Sequence, residues 1–194
     1  FAKSLYNRRM ITIRAFIAIE LPAEVKQALG DVAAALAAGV PRGAVRWVRP
    51  EQIHLTLRFL GDTPIDRLPA LAAALDDVAG RQASFALRLT TTGCFPNAHR
   101  PRVVWVGLGG EAAALAALVA DLNAALGALG LPPEDKPFRA HLTLGRVKDG
   151  RGAQDMPLAV DVPALPIPVA ALHLIQSDLR PDGPVYTVRH VGRF

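Results

Sequence analysis

The tetrapeptide His-Leu-Thr-Leu occurs twice in the chain, at His54–Leu57 and at His141–Leu144. Each copy closes a stretch with the same order of elements, strand then helix then strand. The first stretch begins at Arg14 and the second at Arg102, so arginine and histidine stand 40 residues apart in one and 39 in the other. A repeat this regular predicts two related halves about a pseudo-twofold axis, spanning about 11–62 and 102–147, with the two His-Leu-Thr-Leu strands facing one another. Side chains at i and i+2 of a strand share a face. His54 and Thr56 therefore point one way while Leu55 and Leu57 point the other, and His141 and Thr143 repeat the pattern over Leu142 and Leu144. Two imidazoles and two hydroxyls would then line one cleft.

Hydrophobic periodicity supplies the surrounding elements. Ile11 to Ile19 is β-branched and apolar, as a buried strand requires. After Pro22, Val25, Leu29, Val32 and Leu36 recur at helical spacing up to Gly39. A strand pair is predicted over Val45 to Leu60, and a helix from Thr63-Pro64 to Gly80 with Ile65, Leu68, Leu71, Leu75 and Val78 on one face. Strands follow at Phe85 to Thr91 and Arg102 to Leu108, then a helix carrying Leu115, Leu118, Leu122, Leu126 and Leu129 up to Gly130. Phe138 to Val147 reads as a strand. The Pro- and Gly-rich stretch from Asp149 to Pro168 reads as a loop or broken edge. Two final strands, Val169 to Leu179 and Val185 to Val191, are joined by a turn at Pro181 to Pro184. The class is α+β.

With 194 residues, 51% hydrophobic and 20% charged, the chain is long and apolar enough for one domain with a sizeable core. One cysteine, Cys94, excludes an internal disulfide framework and a Cys-rich zinc site. No apolar run reaches the roughly 18 residues of a membrane helix, and a soluble cytoplasmic monomer is expected. The net charge of +5 includes Lys3, Arg8 and Arg9, which precede Met10. Residues 1–9 read as a tag or upstream remnant and 10–194 as the bilobal domain, which leaves only a weak positive balance and little argument about nucleic acid.

Paired imidazoles suit in-line displacement at phosphorus. Imidazole titrates near neutrality, so one copy can take a proton from attacking water while the other gives one to the leaving oxygen. Threonine hydroxyls can donate to the non-bridging oxygens, and a nearby arginine can add a planar cationic fork. Metal ligation is the competing use of two histidines. Both strands place Thr, not Asp, Glu or Cys, at the i+2 position, which weighs against it.

The flanks carry a resemblance. Val45-Arg46-Trp47-Val48-Arg49-Pro50 leads into Glu51-Gln52-Ile53-His54-Leu55-Thr56-Leu57-Arg58-Phe59-Leu60-Gly61-Asp62, and Lys136-Pro137-Phe138-Arg139-Ala140 leads into His141-Leu142-Thr143-Leu144-Gly145-Arg146. Gly93-Cys94-Phe95-Pro96, Arg102-Val103-Val104-Trp105, Ser177-Asp178-Leu179 and Gly183-Pro184-Val185-Tyr186 add to it. From about Arg14 onward the chain resembles the two-histidine (2H) phosphoesterases, in particular the RNA 2′,3′-cyclic phosphodiesterases historically called 2′-5′ RNA ligases. The resemblance implies a bilobal fold with a cleft between two antiparallel sheets and helices outside. It also implies metal-independent hydrolysis of a terminal 2′,3′-cyclic phosphate on RNA, tRNA fragments included, to a 2′-phosphomonoester, and a reversible 2′-5′ ligation. By the same resemblance His54 is the proton donor, His141 the proton acceptor, and Thr56, Thr143 and Arg146 hold the phosphate. No cofactor is implied.

Two positions test the strand geometry. Strict alternation turns Arg146 away from the His141 face, and a bulge at Gly145 would turn it back. Arg58 has the parity of His54 and Thr56, which makes it a weaker cleft candidate, and Phe95 is a candidate for stacking on a base. His99, His173 and His190 read as loop or structural residues, Trp47 and Trp105 as core, and Cys94 as a small buried filler. The rival functions are the same chemistry on a small cyclic nucleotide or a 2′-5′ oligonucleotide, and a non-catalytic module that binds RNA ends.

Overall fold

The computed structural model describes residues 11–148 and 153–194. The expectation for residues 1–9 and the glycines Gly150 and Gly152 of the expected loop lie outside them. Among the described residues, nine strands and three α-helices build an α+β fold of two antiparallel sheets. The first sheet contains β1 (Thr12–Ile19), β3 (Leu55–Pro64), β8 (Ala171–Arg180) and β9 (Gly183–Arg193), in the order β3-β1-β8-β9. The second contains β2 (Val45–Trp47), β4 (Phe85–Phe95), β5 (Val103–Gly110), β6 (His141–Val147) and β7 (Pro166–Val169), in the order β2-β6-β5-β4-β7. The helices are α1 (Ala23–Ala37), α2 (Leu68–Ala79) and α3 (Ala112–Ala128). None among the described residues is long and apolar enough to cross a membrane.

Alternation along β1 shows how the sequence divides the molecule. Ala15, Ile17 and Ile19 join the main core with Val25, Leu29 and Leu36 of α1, Leu71 and Leu75 of α2, and Leu118 and Leu122 of α3. Phe16 and Ala18 face the other side and form a small cluster with Ile175 and the half-buried Tyr186. The helices thus cover one face of the sheets, because that is where the apolar stripes can be removed from water. Leu55, Leu57, Leu142 and Leu144 all join the core, as the alternation within the two motifs requires.

The two motif strands have matching neighbours. β1 and β3 are antiparallel partners with α1 between them in sequence, and β5 and β6 are antiparallel partners with α3 between them. The sheets nevertheless exchange segments. β2 pairs with β6 of the second sheet, while β8 and β9 complete the first.

Several boundaries differ from those read in the sequence. The helix expected from Thr63-Pro64 begins at Leu68 after a 3-10 turn, because Thr63 and Pro64 are still paired with Ile13 and Thr12 across β1. β4 runs on to Phe95 through a register shift between Leu89 and Thr92. The Pro-rich loop ends in a strand: β7 pairs only with β4, and an edge is where Pro166 and Pro168 can sit without breaking a ladder.

Candidate active site

His54 immediately precedes β3 and is half-buried. Its Nδ1 lies 2.8 Å from the carbonyl oxygen of Gln52. A carbonyl can only accept, so Nδ1 carries the hydrogen and the neutral ring keeps its lone pair on Nε2. The ring stacks on Phe16 with centroids 4.7 Å apart and meets Tyr186 edge-on at 5.3 Å. Gln52 also donates from Nε2 to the carbonyl of Pro184 at 2.5 Å, so the residue that orients His54 is itself tied to the turn between β8 and β9. Burial pushes the His54 pKa below the ordinary imidazole value, against a raising hydrogen bond to Gln52 and the nearby Glu20 carboxylate. Glu20 is held by Lys26 at 2.8 Å.

His141 opens β6 and repeats this geometry: its Nδ1 lies 2.7 Å from the carbonyl of Arg139, again two residues back. The same tautomer argument leaves Nε2 free on this side too. Its aromatic neighbour is Phe95, edge-on at 5.1 Å. Thr56 and Thr143, both half-buried, lie two residues beyond their histidines.

Both motif strands then bulge at the same place. In β3, Ala18 is paired with Thr56 and Ile17 with Arg58, leaving Leu57 as the extra residue. In β6, Trp105 is paired with Thr143 and Val104 with Gly145, leaving Leu144 extra. A bulge reverses the parity of everything that follows. Gly145 consequently faces the core, where an added Cβ would lie 2.7 Å from Val45 Cγ1 and 3.0 Å from Trp47 Cε3. Arg146 returns to the face of His141 and Thr143. It is exposed, and its charge is felt by the Tyr186 hydroxyl, whose pKa is raised by burial and opposed by Arg146.

The same bulge corrects the expectation for Arg58. It is buried on the core side, donating from Nη1 to Asn123 Oδ1 at 3.0 Å and from Nη2 to the carbonyl of Pro132. It lines a cavity of about 400 Å³ behind β3, with Asn123, Glu134 and Lys136, that holds neither histidine. The cleft position expected of Arg58 belongs to Phe59, which pairs with Phe16, approaches it to 6.3 Å and is 62% exposed. The residue five beyond the histidine is thus Phe59 in one motif and Arg146 in the other. A large apolar side chain directly after an arginine was the available sign, but only the bulge gives it direction.

Phe95 is half-buried, and its ring is engaged by His141, by Trp105 at 5.1 Å and by the Arg139 guanidinium 5.9 Å from its centroid, so it supports His141. Trp105 is not a core residue: it pairs with Thr143 on the cleft side and lies over Gly93. His99 and His190 sit against Asp155 and Asp76, at 3.0 and 2.7 Å, away from the cleft. His173 lies across Ala18 from Thr56, on the cleft side of the first sheet.

The arrangement is two imidazoles of fixed tautomer, each with a threonine two residues on, Tyr186 edge-on to His54, and Arg146 on the same face with its charge felt at Tyr186. The family described as LigT like Phosphoesterase matches the chain twice, over residues 19–105 and 106–186. The chain belongs to the LigT-like phosphoesterase family. It is 39% identical to an RNA 2′,3′-cyclic phosphodiesterase of Thermus thermophilus over 182 residues, 91% of this chain and 87% of that one. It is 35% identical to a protein of the same name from Aeropyrum pernix over 155 residues, 76% of this chain and 84% of the other. Among solved structures, TT0787 of Thermus thermophilus superposes with a TM-score of 0.76 at 36% identity, covering 93% of this chain and 97% of that one. E. coli LigT complexed with 3′-AMP superposes with a TM-score of 0.73 at 28% identity, covering 95% and 99%. As a member of this family the chain is a phosphoesterase.

Proposed function

We propose that this phosphoesterase hydrolyses the terminal 2′,3′-cyclic phosphate of RNA to a 2′-phosphomonoester, with His54 as proton donor and His141 as proton acceptor. The observation that carries the reading is the matched tautomer: each histidine binds the carbonyl two residues back through Nδ1. Both rings are therefore held to work through Nε2, one as acid and one as base. His141 takes a proton from water as it attacks phosphorus, the bond to the 3′ oxygen breaks, and His54 protonates that oxygen. Thr56, Thr143 and Arg146 hold the non-bridging oxygens as negative charge grows on them.

The depressed pKa of His54 fits this role only with substrate bound. In the free cleft burial favours the neutral ring, and the phosphodiester anion supplies the opposing charge that keeps it protonated. The substrate's name comes from the relatives, and RNA rather than a mononucleotide is the reading they support. Neither proton transfer requires a metal. Ligation of 2′-5′ ends is the same displacement with the 5′-hydroxyl of a second RNA in the place of water: its oxygen bonds to phosphorus, its proton goes to His141, and the 3′ oxygen leaves with the proton from His54.

The test is incubation of an RNA oligomer ending in a 2′,3′-cyclic phosphate with the protein in excess EDTA, followed by mapping of the terminal phosphate. A 2′-phosphate is expected. A 3′-phosphate would reverse the leaving oxygen, and activity only on added divalent metal would make the histidines ligands. Binding without turnover across the pH range would leave an RNA-end binding module.

A further inference from the structure

Two arginines stand directly opposite one another where the second sheet ends. Arg46 of β2 pairs with Arg146 of β6, and both are exposed. Their neighbours in the same register, Val45 and Trp47 against Val147 and Gly145, pack toward the core. The two guanidinium side chains therefore leave the sheet on the cleft face together. Like charges directly opposite in an antiparallel pair are destabilising. Among the described residues no carboxylate forms an ion pair with either.

The rest of the local structure holds this pair in place. The Arg46 Nη2 atom lies 3.7 Å from where a Cβ would stand on Gly183, so Arg46 reaches the turn between β8 and β9. That turn is anchored by Arg49, donating from Nη2 to the carbonyl of Asp182 at 3.0 Å, and by Gln52 at Pro184. Tyr186, two residues past Pro184, is the ring that meets His54 edge-on. The arginine pair thus borders the cleft on the side away from the exposed Phe59, beside the position where Arg146 meets the terminal phosphate.

We infer that Arg46 holds the internucleotide phosphate next to the terminal cyclic phosphate, so that the enzyme prefers a substrate of two or more nucleotides. The inference rests on the proposed phosphodiesterase reading. A second phosphate between the arginines would neutralise the opposed charges, and the planar fork of Arg46 can take two of its oxygens. A mononucleoside cyclic phosphate has no such phosphate and cannot use Arg46.

The experiment compares kcat/KM for a mononucleoside 2′,3′-cyclic phosphate with that for a dinucleotide bearing the same end, in the unaltered protein, Arg46→Ala and Arg46→Lys. The unaltered protein should favour the dinucleotide by roughly tenfold or more, the scale of one charge-assisted hydrogen bond. Arg46→Ala should collapse that ratio through KM, and Arg46→Lys should restore part of it. An unchanged ratio, or an equal loss on both substrates, overturns the assignment. A parallel arm measures binding of a labelled trinucleotide with a 2′-phosphate end between 50 and 200 mM salt (about the range in which such contacts are read). Loss of one phosphate contact should make the log–log salt slope of Arg46→Ala shallower by about 0.7, and an equal slope overturns it. If the unaltered protein hydrolyses neither substrate, the phosphodiesterase reading fails and this binding arm decides Arg46 alone.

Discussion

Gly93 in β4 lies beneath the indole of Trp105. A Cβ added there would stand 2.3 Å from both Cη2 and Cζ2 and 2.8 Å from Cε2. Comfortable carbon–carbon contact is about 3.5–4.0 Å, so the Gly93→Ala overlap exceeds an ångström against a rigid ring. Overpacking of this kind costs about 1–3 kcal/mol, and a rigid aromatic obstacle places this case at the upper end. At roughly 2–4 °C per kcal/mol for a chain of this size, the expected fall in Tm is roughly 6–12 °C. Activity should fall as well, because Trp105 supports Phe95 at 5.1 Å and Phe95 meets His141 at 5.1 Å. Displacing a catalytic ring by about 1 Å can cost about 100-fold in rate. Gly127, exposed in the last turn of α3, is the control: nothing lies within 4 Å of its added Cβ. Gly127→Ala should raise Tm slightly, by the roughly 0.5–1 kcal/mol that alanine gains over glycine in a helix. Thermal unfolding and kcat on a 2′,3′-cyclic phosphate decide the matter. An unaltered Tm for Gly93→Ala would refute the packing argument. A lower Tm with unaltered kcat at a temperature where the variant is folded would refute the link from Trp105 to His141.

Other outcomes are expected from the site. His54→Ala and His141→Ala should each lower kcat/KM by about 10²–10⁴-fold with circular dichroism retained, and Thr56→Ala or Thr143→Ala by the roughly 1.5–3 kcal/mol of a lost charge-assisted hydrogen bond; near-normal turnover in either histidine variant would end the mechanism. Arg58→Ala should destabilise by about 2–3 kcal/mol in urea unfolding, since two donations from a buried guanidinium are lost; a stable protein with impaired turnover would return Arg58 to the cleft. Rate against pH should be bell-shaped with limbs belonging to the coupled pair and not to single residues; a flat profile between about pH 5 and 9 would argue against paired imidazoles. Burial depresses the His54 pKa, so the unfolded state binds more protons as pH falls through about 6.5. The associated stability is full above that pH and lost below it, and Tm between pH 7.5 and 5 should fall less steeply in His54→Gln, on the order of the shift itself; an equal slope would show that His54 carries none of the loss.

The sequence made the helices and most strands legible because their apolar periods are unambiguous, as with Val25, Leu29, Val32 and Leu36 in α1. It made the pairs His54/Thr56 and His141/Thr143 legible because parity is local. What parity could not supply was the extra residue at Leu57 and at Leu144, since a bulge is decided by how neighbouring strands register and not by the strand's own composition. That single unknown displaced Arg58 from the cleft, exposed Phe59 in its place, and left Arg146 to be assigned through the family resemblance. The packing of Phe95 against His141 was hidden for a different reason: its neighbours Trp105 and Arg139 are distant in sequence or on another strand, and their contacts follow only from the assembled sheet. The pairing of β2 with β6 was likewise invisible, because Val45–Trp47 is too short to announce a partner.

The exchange of segments between the sheets has a consequence for the life of the chain. During synthesis the β3 strand beside His54 has β1 as its partner, but β8 on the other side of β1, and β9 beyond it, come from residues 171–193. Tyr186 and the turn that Gln52 and Arg49 grasp arrive with them. A ribosome-bound chain that already displays both histidines therefore lacks one wall of the His54 pocket until β8 and β9 emerge. The contacts that orient the His54 ring are therefore completed only when those strands have left the exit tunnel.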